Sequence, residues 1–177
     1  MIRSILISGY LDDARLARAL GEILDIGAAT AANRKLVVIF ESEGGSLSAL
    51  LDFLECVLAD EPTRALIEGA DVKIYQAFSA AALLAFWMGG RREMAAGTRI
   101  GFHLPMLTLK SWEVDREGRR IADRIVKRCQ RYEALLAQLM KRRGLDDPKF
   151  NAELYGSGWL YFSAEEALGR GLVHEIF

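Results

Sequence analysis

The sequence predicts an α/β protein whose mostly parallel sheet is built from repeated strand–helix–strand units and is accompanied by one long helix. Short apolar runs bounded by turn residues alternate with segments of helical periodicity. Glycine, serine and histidine residues follow the predicted strands, and a long charged segment with helical spacing occupies residues 113–143. With 177 residues, 51% of them hydrophobic and 27% charged, the chain fits one globular domain spanning residues 1–177.

The first strand–helix–strand unit lies at the N-terminal end of the sequence. Residues 5–8 form a short apolar run, and residues 11–26 carry apolar side chains at helical spacing, with Asp12 or Asp13 as the helix cap. Residues 35–40 are continuously apolar and are bounded by turns. That pattern is typical of a strand buried on both faces, as in a parallel sheet.

Two more units follow along the chain. We predict a helix over residues 47–59, a short strand over 72–76, an apolar helix over 80–88 and a strand over 99–103 that ends before Pro105. Right-handed crossovers make such consecutive strands parallel. The loops at their carboxyl ends therefore meet at one edge of the sheet, where open α/β proteins place their sites.

The charges are unevenly distributed. The net charge of −1 argues against nucleic acid as the main partner, because phosphate binding needs a basic surface. Residues 113–143 contain ten Lys or Arg and five Asp or Glu, a local charge of +5, which leaves −6 for the rest. We interpret this amphipathic helix as a solvated face or as an arm that packs against a partner subunit.

Cysteine and histidine usage narrows the chemistry. Cys56 and Cys129 have no metal-ligand spacing and predict no disulfide scaffold, so a reducing compartment is expected. With only His103 and His174 present, a histidine-rich metal site is excluded. No signal peptide is visible, and the most apolar stretch, residues 77–90, is too short to span a bilayer. We expect a cytoplasmic protein without a membrane partner.

Ser79 is the first candidate for chemistry. It stands between a predicted strand and a predicted apolar helix, where backbone N–H groups and the helix dipole favour a developing negative charge. Serine is also a preferred helix cap, so a purely structural role is the alternative.

Two further candidates follow predicted strands. The pair Gly44-Gly45 allows close backbone approach to a ligand, although a tight turn capped by Ser46 is the alternative. His103 ends a strand and is either a functional base or a structural histidine. Taken together with Ser79 at the same sheet edge, these residues supply an oxyanion hole, a nucleophile and a general base.

An ordered set of segments now resembles a known family, the proteolytic subunit of the Clp protease within the ClpP/crotonase superfamily. The resemblance covers nearly the whole chain and includes an Asn-Ser-Pro-Gly-Gly-Ser-like loop and a Gln-Ala-Ala-Ser-Met-like nucleophile segment. The matching segments are residues 5–13 (ILISGYLDD), 41–46 (ESEGGS), 76–80 (QAFSA), 100–105 (IGFHLP), 162–167 (FSAEEA) and 171–173 (GLV).

The resemblance implies a ClpP/crotonase-like fold and a serine-type endopeptidase without cofactor or metal. It implies Ser79 as nucleophile, His103 as general base, and the backbone N–H groups of Gly45 and Ala80 as the oxyanion hole. Residues Gly44, Ser46 and Leu104 would contact a peptide or unfolded protein substrate. Segment 113–143 would match the family's handle helix, which packs two rings of a ring-like homo-oligomer together.

The sequence also departs from the family pattern. The triad aspartate is expected four residues before Ser163, where this chain has Trp159, so a Ser–His dyad or an atypical triad is expected. Four other carboxylates could take the place of that aspartate in space, namely Asp115, Asp146, Asp147 and Glu153. Ala80-Ala81 replaces Met-Gly, and Glu43 replaces proline, which would alter the specificity pocket and peptide docking. The sequence begins at its first strand, which argues against dependence on an ATPase partner.

Three hypotheses remain open. The first is an active ClpP-like peptidase that works through Ser79. The second is a catalytically silent structural or regulatory subunit, favoured by Trp159 at the aspartate position. The third is a crotonase-like enzyme that uses the same oxyanion geometry on an acyl-CoA.

Overall fold

The structure, a computed structural model, describes residues 2–28, 35–104, 111–142 and 148–177. It confirms the predicted α/β class, since a mostly parallel mixed sheet alternates with helices. The described strands are β1 (Ile2–Leu11), β2 (Lys35–Gly45), β3 (Asp71–Phe78), β4 (Arg92–Met94), β5 (Arg99–His103), β6 (Trp159–Ser163) and β7 (Glu175–Ile176). The described helices are α1 (Asp13–Ala28), α2 (Leu47–Ala59), α3 (Glu61–Glu68), α4 (Ala80–Trp87), α5 (Ser111–Arg142), α6 (Pro148–Ser157) and α7 (Ala164–Gly169).

The contacts divide the chain into two compact units. Unit 1 comprises residues 1–102 and 160–177, and unit 2 comprises residues 103–159. The single domain expected from the sequence stays a prediction. In the described part of the chain, no helix is both long enough and apolar enough to cross a membrane.

The sheet of unit 1 has the strand order β1-β2-β3-β4-β7. β5 branches from this path, because it pairs in parallel with the last residues of β3 while β4 pairs with earlier ones. Ile5 of β1 lies opposite Val38 of β2, and Val38 lies opposite Val72 of β3. This register brings the carboxyl ends of β2 and β3 to the same edge of the sheet.

The core of unit 1 follows from strand alternation. β2 buries Leu36, Val38 and Phe40 on one face. Helix α4 is buried at every position from Ala80 to Trp87, so its apolar sequence has no solvated side. Because α4 is buried on all sides, it lies within the core beside the buried faces of the strands. Ser79 alone separates Ala80, the first residue of α4, from the end of β3 at Phe78.

Several boundaries differ from those predicted. The expected loop after residue 40 is instead a continuation of β2 to Gly45, in which exposed Glu41 and Glu43 alternate with buried Ser42. The alternation is polar on both faces, so hydrophobicity did not reveal the strand, whereas pairing with β1 stabilises it. The last strand is Glu175–Ile176 rather than residues 171–173.

Four elements were not predicted, namely α3, β4, α6 and β6. β4 has three residues, which is too short to show a period of 2. α3 has eight residues and begins at the N-cap Asp60, with proline in its first turn. Such short elements depend on their tertiary neighbours rather than on local propensity.

Unit 2 contains the long helix predicted over residues 113–143, which is α5. The side chains described on this helix make it amphipathic, with exposed positions on one face and buried positions on the other. Its partly or fully buried positions are Ile125, Cys129, Tyr132, Leu135, Leu136 and Leu139. The spacing of three and four residues between them is that of a one-sided apolar stripe. Pro105, Asp146 and Asp147 lie outside the described residues.

Candidate functional site

Ser79 occupies the junction between β3 and α4 with an unusual backbone conformation. Its φ is 54° and its ψ is −124°, and among the described residues it is the only non-glycine with positive φ. A conformation of this kind costs on the order of 1–3 kcal/mol and persists only where the surrounding structure enforces it. Strained serines at strand-to-helix turns are a known means of exposing a nucleophilic hydroxyl.

Backbone hydrogen bonds hold Ser79 in this strained conformation. Its N–H donates to the carbonyl of Gly101 on β5 at 2.8 Å, and its carbonyl accepts from Leu83 in α4 at 3.1 Å. Position 101 requires glycine, because a Cβ there would lie 2.7 Å from the ring of Phe78 and 2.8 Å from that of Tyr161. The glycine thus lets β5 reach the backbone of the serine.

The half-buried side chain of Ser79 does not cap α4 in the described structure. The capping alternative raised by the sequence therefore does not account for this serine. The N–H groups of the first turn of a helix have no acceptor within the helix. Ala80 begins that turn, so its N–H lies at the positive end of the α4 dipole, next to the serine.

Gly44 packs directly against this serine. With φ of +97°, it has a conformation that favours glycine, and a Cβ at this position would lie 2.7 Å from Ser79 Cβ and 2.7 Å from the carbonyl oxygen of Phe78. The same position would be 3.3 Å from the backbone nitrogen of Ala80. Only a glycine leaves the space next to the Ser79 hydroxyl and the Ala80 N–H open.

Gly45 lies against the backbone of Leu11 at the end of β1. A Cβ on Gly45 would lie 2.2 Å from the carbonyl oxygen of Leu11, so this position also requires glycine. Ser46 N–H donates to that same Leu11 carbonyl at 2.7 Å. Both expected oxyanion donors, from Gly45 and Ala80, belong to neighbouring segments of unit 1.

The structure confirms the alternative that Ser46 is a helix cap. Its side chain caps α2 by accepting from the N–H of Ala49 at 3.2 Å. Its hydroxyl is therefore engaged within the protein, and a direct contact between that hydroxyl and substrate stays a prediction.

Ser42 is a supporting residue that the sequence analysis missed. It is 1% exposed, its hydroxyl donates to the carbonyl of Gly9 at 2.5 Å, and it accepts from the N–H of Gly44 at 3.1 Å. The hydroxyl therefore links the glycine segment to β1. The only signal in the sequence was a serine placed between two glutamates, at the alternating position of a polar strand.

His103, in unit 2, has a defined environment of its own. Its Nδ1 lies 2.5 Å from the carbonyl oxygen of Leu104, and its ring centroid lies 4.1 Å from that of Trp159, with 38° between the ring planes. The hydroxyl of Tyr132 on α5 donates to the carbonyl of His103 at 3.1 Å. Burial raises the pKa of Tyr132 far above its ordinary value, so the phenol remains a neutral donor.

The contact with Leu104 determines the imidazole tautomer. A carbonyl oxygen can only accept, so this assignment puts the hydrogen of His103 on Nδ1 and leaves Nε2 with its lone pair. That is the tautomer in which a histidine accepts a proton from a nucleophile. Trp159 lies on the ring face, at the position where the family pattern has the triad aspartate.

Of the four carboxylates that could substitute for the aspartate, the structure describes the side chain of Glu153 alone. Glu153 lies exposed on α6. The side chain of Asp115 falls outside the described residues, as do Asp146 and Asp147. The imidazole contacts the Leu104 carbonyl and the Trp159 indole.

His174, the other histidine of the sequence, is exposed at the surface and contacts the backbone of Arg92. It precedes β7, and although exposed, its Nδ1 accepts a hydrogen bond from the N–H of Arg92 at 2.9 Å. The N–H of His174 donates to the carbonyl of Arg92 at 2.8 Å. This reciprocal pair joins the C-terminal segment to β4, so His174 has a structural role.

The structure thus groups the predicted site residues in two sets. Unit 1 brings Gly44 and Ala80 next to Ser79, with Gly45 adjoining, while unit 2 places Leu104 and Trp159 on His103. Within the described residues, no cluster of three or more histidine, cysteine or carboxylate side chains could hold a metal ion.

Comparison with known proteins identified no matching family model and no matching curated protein.

Proposed function

We propose that this protein is a ClpP-like serine peptidase of the ClpP/crotonase superfamily, which cleaves peptide bonds by acyl transfer through Ser79. The observation that carries the proposal is the strained, uncapped backbone of Ser79 at the start of a buried helix. A serine that only capped the helix would have an extended backbone, and its hydroxyl oxygen would accept a hydrogen bond from an N–H of the first turn. Ser79 has neither.

In the proposed reaction, Ser79 Oγ attacks the substrate carbonyl carbon and His103 Nε2 takes the hydroxyl proton. The N–H groups of Gly45 and Ala80 stabilise the oxyanion of the tetrahedral intermediate. His103 then protonates the leaving amine, and the acyl-enzyme remains. The same imidazole then deprotonates a water molecule, which attacks the ester carbon. As this second intermediate collapses, the bond to Ser79 Oγ breaks, the imidazolium of His103 returns its proton to Ser79 Oγ, and the carboxylic acid product is released.

The substrate is proposed to be a peptide or an unfolded protein, bound at Gly44, Ser46 and Leu104. No cofactor is needed, because acyl transfer requires only a nucleophile, a base and an oxyanion hole. We further propose a cytoplasmic, ring-like homo-oligomer in which α5 packs one ring against another. Size-exclusion chromatography with light scattering should then give a mass several times 19.7 kDa, and a monomer would contradict the assembly.

A fluorophosphonate probe tests the nucleophile directly. We expect the wild-type protein to be labelled, Ser79→Ala to lose all labelling, and His103→Ala to lose most of it. The matched control is Ser163→Ala, which also removes a hydroxyl from a residue that precedes a helix, but one that caps α7. Labelling that persists in Ser79→Ala would refute the assignment.

The second candidate is a catalytically silent subunit that keeps the fold and the assembly. The specific observation that favours it is Trp159, since the expected aspartate position holds an indole that cannot accept the Nδ1 proton of His103. An unlabelled wild-type protein would support this candidate. Labelling gained by Trp159→Asp would then identify the missing carboxylate as the reason for the silence.

A further inference from the structure

We infer that Trp159 and the carbonyl of Leu104 together position His103, and that they replace the aspartate of a triad. The inference rests on the proposed function, because it assigns to Trp159 a part in the proton transfer from Ser79. Trp159 is a positioning residue here, since it acts through the imidazole and not on the substrate.

A triad aspartate has two tasks. It holds the imidazole in the Nδ1–H tautomer, and it stabilises the imidazolium that forms when the nucleophile is deprotonated. In this protein the Leu104 carbonyl, 2.5 Å from Nδ1, performs the first task without a carboxylate. The tautomer leaves Nε2 free to accept a proton.

The second task falls to the indole of Trp159. The negatively polarised face of an indole attracts a cation within about 6 Å of the ring centroid. The His103 and Trp159 centroids are 4.1 Å apart, which is well inside that limit. The attraction is stronger for the imidazolium than for neutral imidazole. It therefore favours the transition state of proton transfer over the ground state, which is what raises a rate.

The backbone holds the indole in place. The hydroxyl of Ser157 accepts from the N–H of Trp159 at 3.3 Å, and it also contacts the Trp159 carbonyl. On the other side, the hydroxyl of Tyr132 holds the carbonyl of His103 at 3.1 Å. Both residues are thus tied through their backbones, and their rings lie in contact.

His174 offers an internal reference for the tautomer. Its Nδ1 accepts from the N–H of Arg92, so its hydrogen lies on Nε2, opposite to His103. The sequence contains no other histidine. A spectrum of imidazole nitrogens at neutral pH should therefore show one residue of each tautomer, and His174→Gln assigns the signals.

The experiment has two independent arms. In the first, ¹⁵N and ¹³C labelling of the histidine rings reports the tautomer of His103 and the ring-current shift of its protons. We expect the Nδ1–H form in wild type, and an upfield shift that persists in Trp159→Phe and is lost in Trp159→Leu. An Nε2–H form, or a wild-type spectrum without the ring-current shift, would overturn the inference.

In the second arm, the rate of fluorophosphonate labelling of Ser79 is measured. We expect Trp159→Leu to slow it about tenfold and Trp159→Phe to remain within about threefold of wild type, because a benzene ring keeps an attractive face. A Trp159→Leu rate equal to wild type would refute the role of the indole. If wild type is not labelled at all, the peptidase proposal fails, while the first arm still decides how His103 is positioned.

Discussion

Ser79 and Ser163 both precede helices in unit 1, but they differ in backbone conformation and in capping. Ser163 has an extended backbone, with φ of −68° and ψ of 167°, and forms a capping box with Glu166 in which each side chain bonds the other's backbone N–H. Ser79 has φ of 54° and forms no capping bond in the described structure. The first arrangement stabilises a helix end, whereas the second costs free energy.

The difference shows that residue type and topological place do not determine what a serine does. The neighbours of Ser79 force it into strain and keep the space beside it open, since Gly44 contributes no side chain there. A backbone strained at no benefit to stability points to function, because selection for stability alone would remove it.

Among the substitutions that test this difference, Gly44→Ala should have the largest effect on stability and labelling. The added Cβ would lie 2.7 Å from both Ser79 Cβ and the Phe78 carbonyl, so the serine segment must move. We expect a loss of about 3 kcal/mol in the free energy of unfolding and at least about 100-fold in fluorophosphonate labelling. Urea unfolding and labelling kinetics measure the two quantities.

The control for that substitution is Gly97→Ala. Gly97 also has positive φ, +72°, but a Cβ there would meet no atom within 4 Å. It should therefore cost only about 1 kcal/mol of backbone strain and leave labelling unchanged. Equal effects at the two glycines would show that Gly44 matters only for its conformation.

Ser79→Gly is expected to stabilise the protein. Glycine adopts positive φ without strain, which returns about 1–3 kcal/mol, less about 1 kcal/mol for the greater freedom of the unfolded chain. We expect a net gain of about 1 kcal/mol, measured by thermal or urea unfolding, with no labelling. Ser79→Ala keeps the strain and should change stability by less than about 0.5 kcal/mol. If glycine and alanine gave the same stability, the conformation would not be strained.

Ser163→Ala should behave in the opposite way. It removes the acceptor for the Glu166 N–H and should lower the free energy of unfolding by about 1 kcal/mol, with labelling unaffected. Ser163→Asp keeps a capping oxygen and should recover most of that loss. A stability unchanged by Ser163→Ala would remove the contrast between the two helix ends.

The smallest expected effect is on how the stability of the protein depends on pH. The hydroxyl of Thr63, and then its backbone N–H, bond the exposed N-cap carboxylate Asp60 and lower its pKa from 3.8. A lowered folded-state pKa contributes stability above the unfolded value, and this stability is lost as the pH falls through the folded pKa. The stability of wild type relative to Asp60→Asn should therefore decrease as the pH falls below about 4. Urea unfolding at neutral and acid pH measures the difference, and a pH-independent difference would contradict the capping role.

Much of the fold could be predicted from the pattern of the chain. The helix over Leu47–Ala59 and the strand over Arg99–His103 were predicted with the bounds observed, because apolar periodicity is strong there. β4 and the extension of β2 were missed, since a three-residue strand and a strand of alternating glutamates show no apolar period. These segments become strands only through their neighbours.

The candidate site was predicted less completely. Ser79, Gly44 and His103 were predicted as site residues because their residue types stand at strand ends, and these roles stay predictions. Ser42 was missed, because an anchoring hydroxyl in a polar segment has no pattern of its own. Trp159 was noted as a departure, but its contact with the imidazole pairs residues far apart in sequence and could not be derived from spacing.

The sequence by itself determined the α/β class, the alternation of apolar strands and helices, and the residue types available for chemistry, because these depend on local periodicity and composition. The tertiary structure alone decided that Ser79 is strained while Ser163 caps, and that His103 contacts an indole and a carbonyl. The physical reason is that backbone strain and ring contacts arise where segments distant in the chain are packed together. Local sequence preferences do not encode such contacts.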